Sequence, residues 1–312
     1  MNDDSYARMI APLRGVFGEP ASGKVRDTFR NPLSLTERFI ISSNRVGTHN
    51  VAHLTEFPQK GEILNALPIF WAQKVFGEDV PTHLIAWGKR IYDHLPKVTV
   101  NIYHPRLHYF GVIARQQNVT PTEFILRRRK AGSLDRACRD GWKEFGGVDP
   151  YGYGNAHSNL PLMHRFDEPL FTPTRKSKDD EPRDHSAVRQ ESPFETDLLA
   201  KVFAYGEKYL AERGITLVDA KGEASGAMLV DEWLTGDCCR MAWTKDVREG
   251  QEPPWLDKEV VRQEAMRMWG TGPKIPLRFS DDTVKNAMTR YHEAFEAITG
   301  MPLSSFQREY MD

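Results

Sequence analysis

Charged residues that alternate along an apolar segment are the first candidates for chemistry in this sequence. Asp219, Lys221 and Glu223 directly follow the apolar run over 215–218. Because alternate residues of a strand point to the same side, the segment predicts a buried strand with these three side chains on one face. Carboxylates held side by side on a strand suit Mg²⁺, which takes one or two carboxylates together with phosphate oxygens. A lysine between them would offset their repulsion, and a solvated hairpin face is the alternative interpretation.

The same segment is predicted to continue through a tight turn into a second strand. The whole hairpin covers 214–243, and its second part carries the pair Asp231-Glu232 and then Arg240. These residue types add further acidic groups and one arginine to the charged face of the first strand.

Four consecutive cations over 127–130 form another candidate site. Taken alone, such a run suggests nucleic-acid binding or nuclear localisation. Here a predicted strand over 124–126 precedes it, and the small-residue turn Ala131-Gly132-Ser133 follows it. Arginines at a strand end beside Ser and turn amides would bind one phosphate monoester. A solvated surface explains these residues equally well.

The segment 18–24 has the spacing of a phosphate-binding P-loop up to Lys24. A P-loop requires Ser or Thr at the next position and then a helix. Val25 stands there, and 25–29 predicts a strand, so a true P-loop is disfavoured. The alternatives are a glycine-permitted turn that places Lys24 and Arg26 over the phosphates of a nucleotide, or a surface turn.

The composition narrows the class of protein. The 312 residues carry 42 Lys and Arg against 43 Asp and Glu, a net charge of −1, so a nucleic-acid or membrane-surface role gains no support. No segment approaches the roughly 20 continuous apolar residues of a membrane span. Three cysteines without a CxxC motif indicate a reduced compartment, which predicts a cytoplasmic protein. No Ser-His-Asp or GxSxG nucleophile signature is present.

Periodicity and turn signals predict the elements that position these residues. Strands are expected over 25–29, 39–42 and 98–103, and a helix over 63–75. Ser192, Pro193 and Glu195 predict a capping box that starts a helix ending at Gly214, and a last helix is expected over 281–299 with Gly300 as its stop. The polar stretch over 151–193 predicts an ordered, functional loop.

Taken in chain order, these motifs resemble the phosphoribosylaminoimidazole-succinocarboxamide (SAICAR) synthetase family. Each motif is weakly specific, but nearly the whole chain is covered in the order of the family. The matching motifs are Gly-Lys-Val-Arg-Asp at 23–27, Pro-x-Lys-Gly at 58–61, Leu-Pro-x-Phe-Trp at 67–71, Arg-x-Arg-x-Ala-Gly-Ser at 127–133, Phe-Thr-Pro at 171–173, Asp-x-Lys-x-Glu at 219–223, Asp-Glu at 231–232, Arg240, Asp-Lys-x-x-Val-Arg at 257–262 and the Arg-Tyr-x-Glu…Thr-Gly helix at 290–300.

The resemblance implies an α+β, two-lobed fold with ATP in the cleft. A small antiparallel, β-rich lobe over 1–115 would cover ATP, and a larger α/β lobe over 116–312 would carry the metal and substrate-phosphate sites. Family members join a carboxylated aminoimidazole ribonucleotide (CAIR) to L-aspartate through an acyl phosphate, and they release ADP and phosphate. The implied partners are therefore small-molecule substrates with ATP and Mg²⁺, and the oligomeric state stays open.

Carried over residue by residue, the resemblance gives each candidate a role. ATP would be bound by Lys24, Arg26, Lys176 and Lys221. Mg²⁺ would be held by Glu223 and Asp231. The ribonucleotide 5′-phosphate would be bound by Arg127, Arg129, Ser133 and Arg240. Lys221 would also act in catalysis, and Asp184 is a candidate base for the proton that the amine loses.

The chain also departs from the family pattern in segments expected near the heterocycle and the amine. Where members read Asp-Arg-Ile-Ser-Ala-Phe-Asp, this chain has Asn-Arg-Val-Gly-Thr-His-Asn at 44–50. Residues 183–186 read Arg-Asp-His-Ser in place of His-Asp-Glu-Asn, residues 238–239 are Cys-Cys, and 151–159 differs from the usual loop. We therefore keep a second hypothesis, the same ligase chemistry on a different nucleotide-like carboxylate or a different amino acid. A catalytically inactive nucleotide-binding relative is disfavoured because Lys221, Glu223 and Asp231 are retained.

Overall fold

The computed structural model describes residues 5–97, 102–177 and 179–312. The helices of these residues are α1 (Ser5–Ile10), α2 (Arg14–Phe17), α3 (Lys60–Phe70), α4 (Leu107–Phe110), α5 (Gly132–Arg139), α6 (His185–Glu191), α7 (Pro193–Ala211), α8 (Glu259–Trp269), α9 (Asp281–Thr299) and α10 (Leu303–Tyr310). The strands are β1 (Ala21–Ser22), β2 (Arg26–Arg30), β3 (Glu37–Ser42), β4 (Arg45–Thr48), β5 (Val51–Glu56), β6 (Leu84–Trp87), β7 (Gly111–Arg115), β8 (Thr122–Arg129), β9 (Arg165–Phe171), β10 (Thr174–Arg175), β11 (Ile215–Ser225), β12 (Met228–Val230) and β13 (Cys239–Trp243).

The chain forms two compact units. The first contains Met1–Trp71, His83–Gln117 and Lys258–Asp312, and the second contains Ala72–Thr82 and Asn118–Asp257. The strands named above pair antiparallel in both units, so the predicted α+β class with antiparallel sheets is confirmed.

The first unit is built on a five-stranded sheet in the order β1-β2-β3-β7-β6, with β4 and β5 paired as a separate hairpin. Phe29 and Phe39 face each other across β2 and β3 and are fully buried. The apolar core beneath this sheet consists of Tyr6, Met9, Ile10, Leu13, Phe17, Phe29, Phe39, Ile41, Ala86, Ile91, Leu95, Leu107, Phe110 and Ile113.

The three C-terminal helices belong to the first unit, which corrects the predicted lobe boundary of 1–115 and 116–312. Helices α9 and α10 pack against α3 and against each other, and α8 packs against α9. Phe306 on α10 contacts Phe70 and Phe295, with ring centroids 6.4 and 5.7 Å apart. Gln307 also donates a hydrogen bond of 2.5 Å to Glu62 on α3. The contacts of α10 with α3 join residues more than 200 positions apart, so local patterns do not reveal them.

The second unit is built around β11, the longest strand. β8 pairs with one edge of β11, and the other edge is shared by β13 along its first half and β12 along its second half. The predicted hairpin is thus correct for its first strand, but its second strand is divided in two. Asp231 and Leu234 adopt the left-handed conformation between β12 and β13, which turns the chain away from a continuous strand.

Helix α7 covers the opposite face of β11. A Cβ at Gly222 would lie 2.2 Å from Leu199 of α7, so glycine permits the close approach of helix and strand. The helix begins at Pro193 as predicted, but the predicted capping box is wrong. Ser192 makes no side-chain cap bond within the described residues, and Glu195 accepts instead from Thr120 (2.8 Å) and from the amide of Gly226 (3.1 Å).

Several other predicted elements are confirmed. The strands at 25–29 and 39–42 correspond to β2 and β3, and the helix at 281–299 coincides with α9, which Gly300 ends in the left-handed conformation. The predicted helix at 63–75 is α3 followed by a π-helical segment, Trp71–Phe76. The strand predicted at 98–103 falls mainly on residues 98–101, which lie outside the described residues. Among the helices that the structure describes, none combines the length and apolar character needed to cross a membrane.

Candidate functional site

The register between β8 and β11 places the predicted charged residues on one face of the sheet. Asp219 lies opposite Arg127, and Lys221 lies opposite Ile125. Directly opposed side chains of an antiparallel pair point to the same side. The alternation that the sequence predicted for Asp219, Lys221 and Glu223 therefore continues across the neighbouring strand, and we call this surface the charged face.

At one end of the charged face, a single carboxylate holds two arginines. Asp219 Oδ2 accepts hydrogen bonds from Nη1 of Arg127 and Nη1 of Arg240, each at 2.8 Å. Asp219 and Arg127 are only 4% and 2% exposed. Two guanidinium groups on one buried carboxylate leave one net positive charge in a fixed position, and we call these three residues the arginine pair with its carboxylate.

Neighbouring hydroxyl groups fix the arginine pair further. Arg127 donates from Nε to Thr172 Oγ1 at 2.8 Å and from Nη2 to Ser133 Oγ at 3.1 Å. A Cβ at Gly132 would lie 2.3 Å from Nη2 of Arg240, so that guanidinium packs directly on the backbone that begins α5. Guanidinium forks beside a serine hydroxyl are the groups that bind a phosphate monoester.

At the other end of the charged face, lysines and carboxylates alternate. Lys221 Nζ donates to Glu123 Oε1 at 2.7 Å, and Thr174 Oγ1 donates to Glu123 Oε2 at 3.1 Å. Lys176 forms an ion pair with Glu223. Burial alone would lower the pKa of Lys221, but the adjacent Glu123 carboxylate raises it overall, so the ammonium stays charged at neutral pH.

Glu223 and Asp231 together have the character of a magnesium-binding pair. Burial and the negative charge of Asp231 raise the pKa of Glu223, while Lys176 acts in the opposite direction. In the described part of the chain, no cluster of three or more His, Cys, Asp or Glu side chains forms a ready metal cage. Two carboxylates fit Mg²⁺, which completes its coordination with phosphate oxygens and water.

Sequence reasoning missed three residues of this face. Glu123, Thr172 and Thr174 each hydrogen-bond a predicted site residue or its partner. Glu123 could have been found from its spacing, because it lies four residues before Arg127 on one strand and shares its face. Thr172 lies in the matched Phe-Thr-Pro motif at 171–173, which gave it no site role, and Thr174 offered no comparable signal because its partner Glu123 lies 51 residues away.

Arg129 is not brought to the arginine pair. It donates instead to the carbonyl of Met163 at 2.9 Å, and burial together with nearby Arg165 lowers its pKa. The four-cation run at 127–130 therefore splits, because Arg128 pairs with Glu207 and Lys130 donates to the carbonyls of Ser158 and Leu160.

Lys24 and Arg26 lie in the first unit, whereas the other predicted site residues lie in the second. Lys24 hydrogen-bonds Asn50 at the tip of the β4–β5 hairpin, and Arg26 begins β2 and donates to Ser42 Oγ at 3.4 Å. The strand at this point is incompatible with a P-loop, which requires a helix there. His49 and Asn50 both have positive φ, so the altered segment 44–50 contains β4 and the tight turn that joins it to β5.

Asp184 caps the N-terminus of α6. Its Oδ1 accepts from the amides of Ser186 and Ala187, each at 2.9 Å, and from the Ser186 hydroxyl at 2.6 Å. These hydrogen bonds, that of the Ser186 hydroxyl first, lower the pKa of Asp184. A carboxylate held in this way is a poor proton acceptor, and its use as the base for the amine stays an untested prediction.

Comparisons with known proteins identify the family of this chain. The family model described as SAICAR synthetase matches residues 19–274. The phosphoribosylaminoimidazole-succinocarboxamide synthase of Saccharomyces cerevisiae is 27% identical over 92% of this chain and 96% of its own length, and that of Saccharopolyspora erythraea is 31% identical over 92% and 95%.

Solved structures give the same result. The SAICAR synthase of Saccharomyces cerevisiae, solved in complex with SAICAR, is similar with a TM-score of 0.72 and 25% identity over 90% of this chain and 94% of that one. A SAICAR synthetase in complex with ADP shares the fold, with a TM-score of 0.59 and 20% identity over 91% of this chain and 99% of that one. Since the family model covers most of its length, the chain belongs to the SAICAR synthetase family.

Proposed function

We propose that the protein is an ATP-dependent carbon–nitrogen ligase that joins CAIR to the amine of L-aspartate and yields SAICAR, ADP and phosphate. The observation that carries the proposal is the charged face. There, an arginine pair for a phosphate monoester, on β8 and β13, flanks the strand β11, which also carries Lys221 and Glu223 of a lysine–carboxylate cluster for a metal–nucleotide.

The chemistry of the reaction requires the residue types that this face presents. A carboxylate oxygen of CAIR attacks the γ-phosphorus of ATP, and the bond to ADP breaks to give an acyl phosphate. The aspartate amine then attacks the acyl carbon, phosphate leaves, and the nitrogen loses a proton. Alignment and neutralisation of charge supply most of the catalysis, and no protein nucleophile is needed.

Each group of residues has a role in this proposal. Arg127, Ser133 and Arg240 bind the 5′-phosphate of the ribonucleotide. Lys221 and Lys176 neutralise charge on the ATP phosphates. The assignment of Lys24 and Arg26 to ATP stays a prediction from the family resemblance. Glu223 and Asp231 hold Mg²⁺, which would neutralise phosphate oxygens when it is bound.

A second candidate is the same chemistry on another nucleotide-like carboxylate or another amino acid. It is supported by the altered segments 44–50 and 183–186. In the first, Asn44 accepts from the amide of Gly61 at 3.1 Å, and the neutral Asn50 contacts Lys24 where family members carry an aspartate. Loss of two acidic groups changes which amines a site prefers.

Turnover with defined substrates separates these candidates. Purified protein with Mg²⁺, ATP, CAIR and aspartate should release phosphate and form the succinocarboxamide, with no release when CAIR is omitted. Phosphate release only with glycine or glutamate in place of aspartate would overturn CAIR–aspartate ligation and retain the ligase class. Absence of ATP turnover with every acid–amine pair, together with tight ATP binding, would leave a binding protein.

A further inference from the structure

Tyr151 has a buried side chain beside the arginine pair, in a segment that departs from the family pattern. The residue is 6% exposed, and its ring packs in a cluster with Leu134, Cys138 and Trp142. Leu134 directly follows Ser133, which accepts from Arg127. The charge of Arg127 is the strongest one acting on the Tyr151 hydroxyl. The tyrosine therefore lies next to the proposed phosphate subsite.

The backbone of Tyr151 is anchored on both sides. Its amide donates to Asp149 Oδ1 at 2.9 Å, and its carbonyl accepts from the backbone amide of His185 at 3.0 Å. The imidazole Nδ1 of His185 contacts the same carbonyl at 2.7 Å. Because a carbonyl only accepts, Nδ1 carries the proton there. Tyr151 of the altered segment 151–159 is thus bonded to His185 of the altered segment 183–186.

The Tyr151 hydroxyl differs from that of its neighbour Tyr153. Tyr153 donates to the carbonyl of Phe171 and accepts from the amide of Phe171, each at 3.0 Å. Its ring stacks on His185, with centroids 4.1 Å apart. For Tyr151, no hydrogen-bond partner of the hydroxyl exists among residues 5–97, 102–177 and 179–312. The hydroxyl oxygen itself is not fully shielded from solvent, so a ligand can reach it and accept its hydrogen bond.

We propose that Tyr151 is an additional substrate-binding residue. Its hydroxyl group donates a hydrogen bond to the phosphate of the ribonucleotide held by Arg127 and Arg240. Asp149 and His185 act as positioning residues for it. The inference rests on the proposed function, because it assumes a phosphorylated substrate at the arginine pair. Burial raises the pKa of Tyr151, which keeps the phenol protonated and therefore a donor at neutral pH.

Binding of an unreactive nucleotide tests this assignment. The probe is 5-amino-4-imidazolecarboxamide ribonucleotide, whose amide replaces the reactive carboxylate, and the second probe is its ribonucleoside, which lacks the phosphate. Titration calorimetry on the full chain should show that Tyr151→Phe weakens nucleotide binding about tenfold or more, as expected for a hydrogen bond to a charged group. Nucleoside binding should be unchanged.

Tyr153→Phe is the matched control, because it removes a hydroxyl two residues away whose partners are backbone groups. It should leave nucleotide affinity within about twofold of wild type. Equal nucleotide affinity in Tyr151→Phe and wild type, or an equal loss with nucleoside and nucleotide, would overturn the Tyr151 assignment alone. Failure of the wild-type protein to bind the nucleotide would instead contradict the proposed function, and with it this inference.

Discussion

The two ends of the charged face differ in the charge of the ligand that each would bind. At the arginine pair, Asp219 orients two guanidinium groups, and the hydroxyl groups of Thr172 and Ser133 accept further hydrogen bonds from Arg127. At the other end, Lys176 pairs with Glu223, and Glu223 also lies close enough to Asp231 for its pKa to rise. The first end is already arranged for an anion. The second contains carboxylates whose repulsion a cation would relieve.

This difference indicates how much each end must rearrange when its ligand binds. A ligand phosphate at the arginine pair meets donors that are already fixed, so little reorganisation is needed. A metal at Glu223 would compete with Lys176 for the carboxylate, and a displaced Lys176 would be free for a nucleotide phosphate. We infer that the first end governs recognition of the substrate and the second governs the response to metal and ATP.

The largest expected effect is that of Asp219→Asn, which removes the charge that orients the arginine pair. The guanidinium groups of buried Arg127 and partly buried Arg240 would then lie near each other without their shared anion. Loss of one partner from a buried ion pair costs about 3–5 kcal/mol, and we expect the free energy of unfolding in urea to fall by that amount. Turnover should fall with it, and ribonucleotide at saturating concentration should restore part of the stability.

A surface ion pair provides the control for this change. Glu264 and Arg267 are neighbours on α8, and the arginine is 73% exposed. Glu264→Gln should leave the urea midpoint unchanged, because exposed pairs contribute little. If Asp219→Asn lost no more stability than this control, the arginine pair would not depend on its carboxylate.

The next largest effect is expected for Asp231→Asn at the metal end. Asparagine tolerates the left-handed conformation that Asp231 adopts, so the fold should be retained. Mg²⁺-dependent turnover should fall by about 10²-fold or more, the size found when one stabilising group of an active site is removed. Turnover equal to that of wild type would contradict the metal assignment.

The same variant should gain stability when Mg²⁺ and nucleotide are absent. In the folded protein the pKa of Glu223 is raised, so the folded state retains its proton more readily and stability is lost as the pH rises through that pKa. Removal of the Asp231 charge makes the pKa of Glu223 rise less, so less folding stability is lost as the pH increases. Asp231→Asn should therefore unfold at a higher urea concentration than wild type at pH 7, and the difference should shrink at acidic pH, where Glu223 is protonated in both proteins.

The contrast between the two ends also shows what the sequence could reveal. Alternation along a strand identified Lys221 and Glu223, because the period of two is a local property. The run at 127–130 was a candidate phosphate site as a whole, yet within this run Arg127 alone bonds Asp219 and joins the arginine pair. Which cation does so depends on the register of β8 against β11, and that register is set by strands about 90 residues apart.

Tertiary contacts also override local signals at helix ends. Ser192 and Glu195 have the spacing of a capping box. However, Glu195 accepts hydrogen bonds from Gly226 and Thr120 instead of from the start of the helix. In contrast, α9 has the predicted bounds because Ser280 and Gly300 supply local start and stop signals. The C-terminal helices were assigned to the wrong compact unit because their contacts with α3 have no local signature.

The smallest expected effect is at Asp184, which lies outside both ends of the charged face. Asp184→Ala should destabilise the protein by about 1 kcal/mol, the usual cost of losing an N-cap side chain. Asp184→Asn should cost almost nothing, because Asn caps a helix as well as Asp does. Urea unfolding of the two variants measures this difference.

Turnover of Asp184→Asn then decides whether Asp184 also serves as the base. A general base contributes about 10²–10⁴-fold, and the amide cannot accept the proton. The lowered pKa of Asp184 and its three hydrogen bonds favour capping alone, so we expect Asp184→Asn to retain turnover near that of wild type. A hundredfold loss with unchanged stability would assign the proton transfer to Asp184, and the loop at 183–186 would then join the charged face as a third functional region.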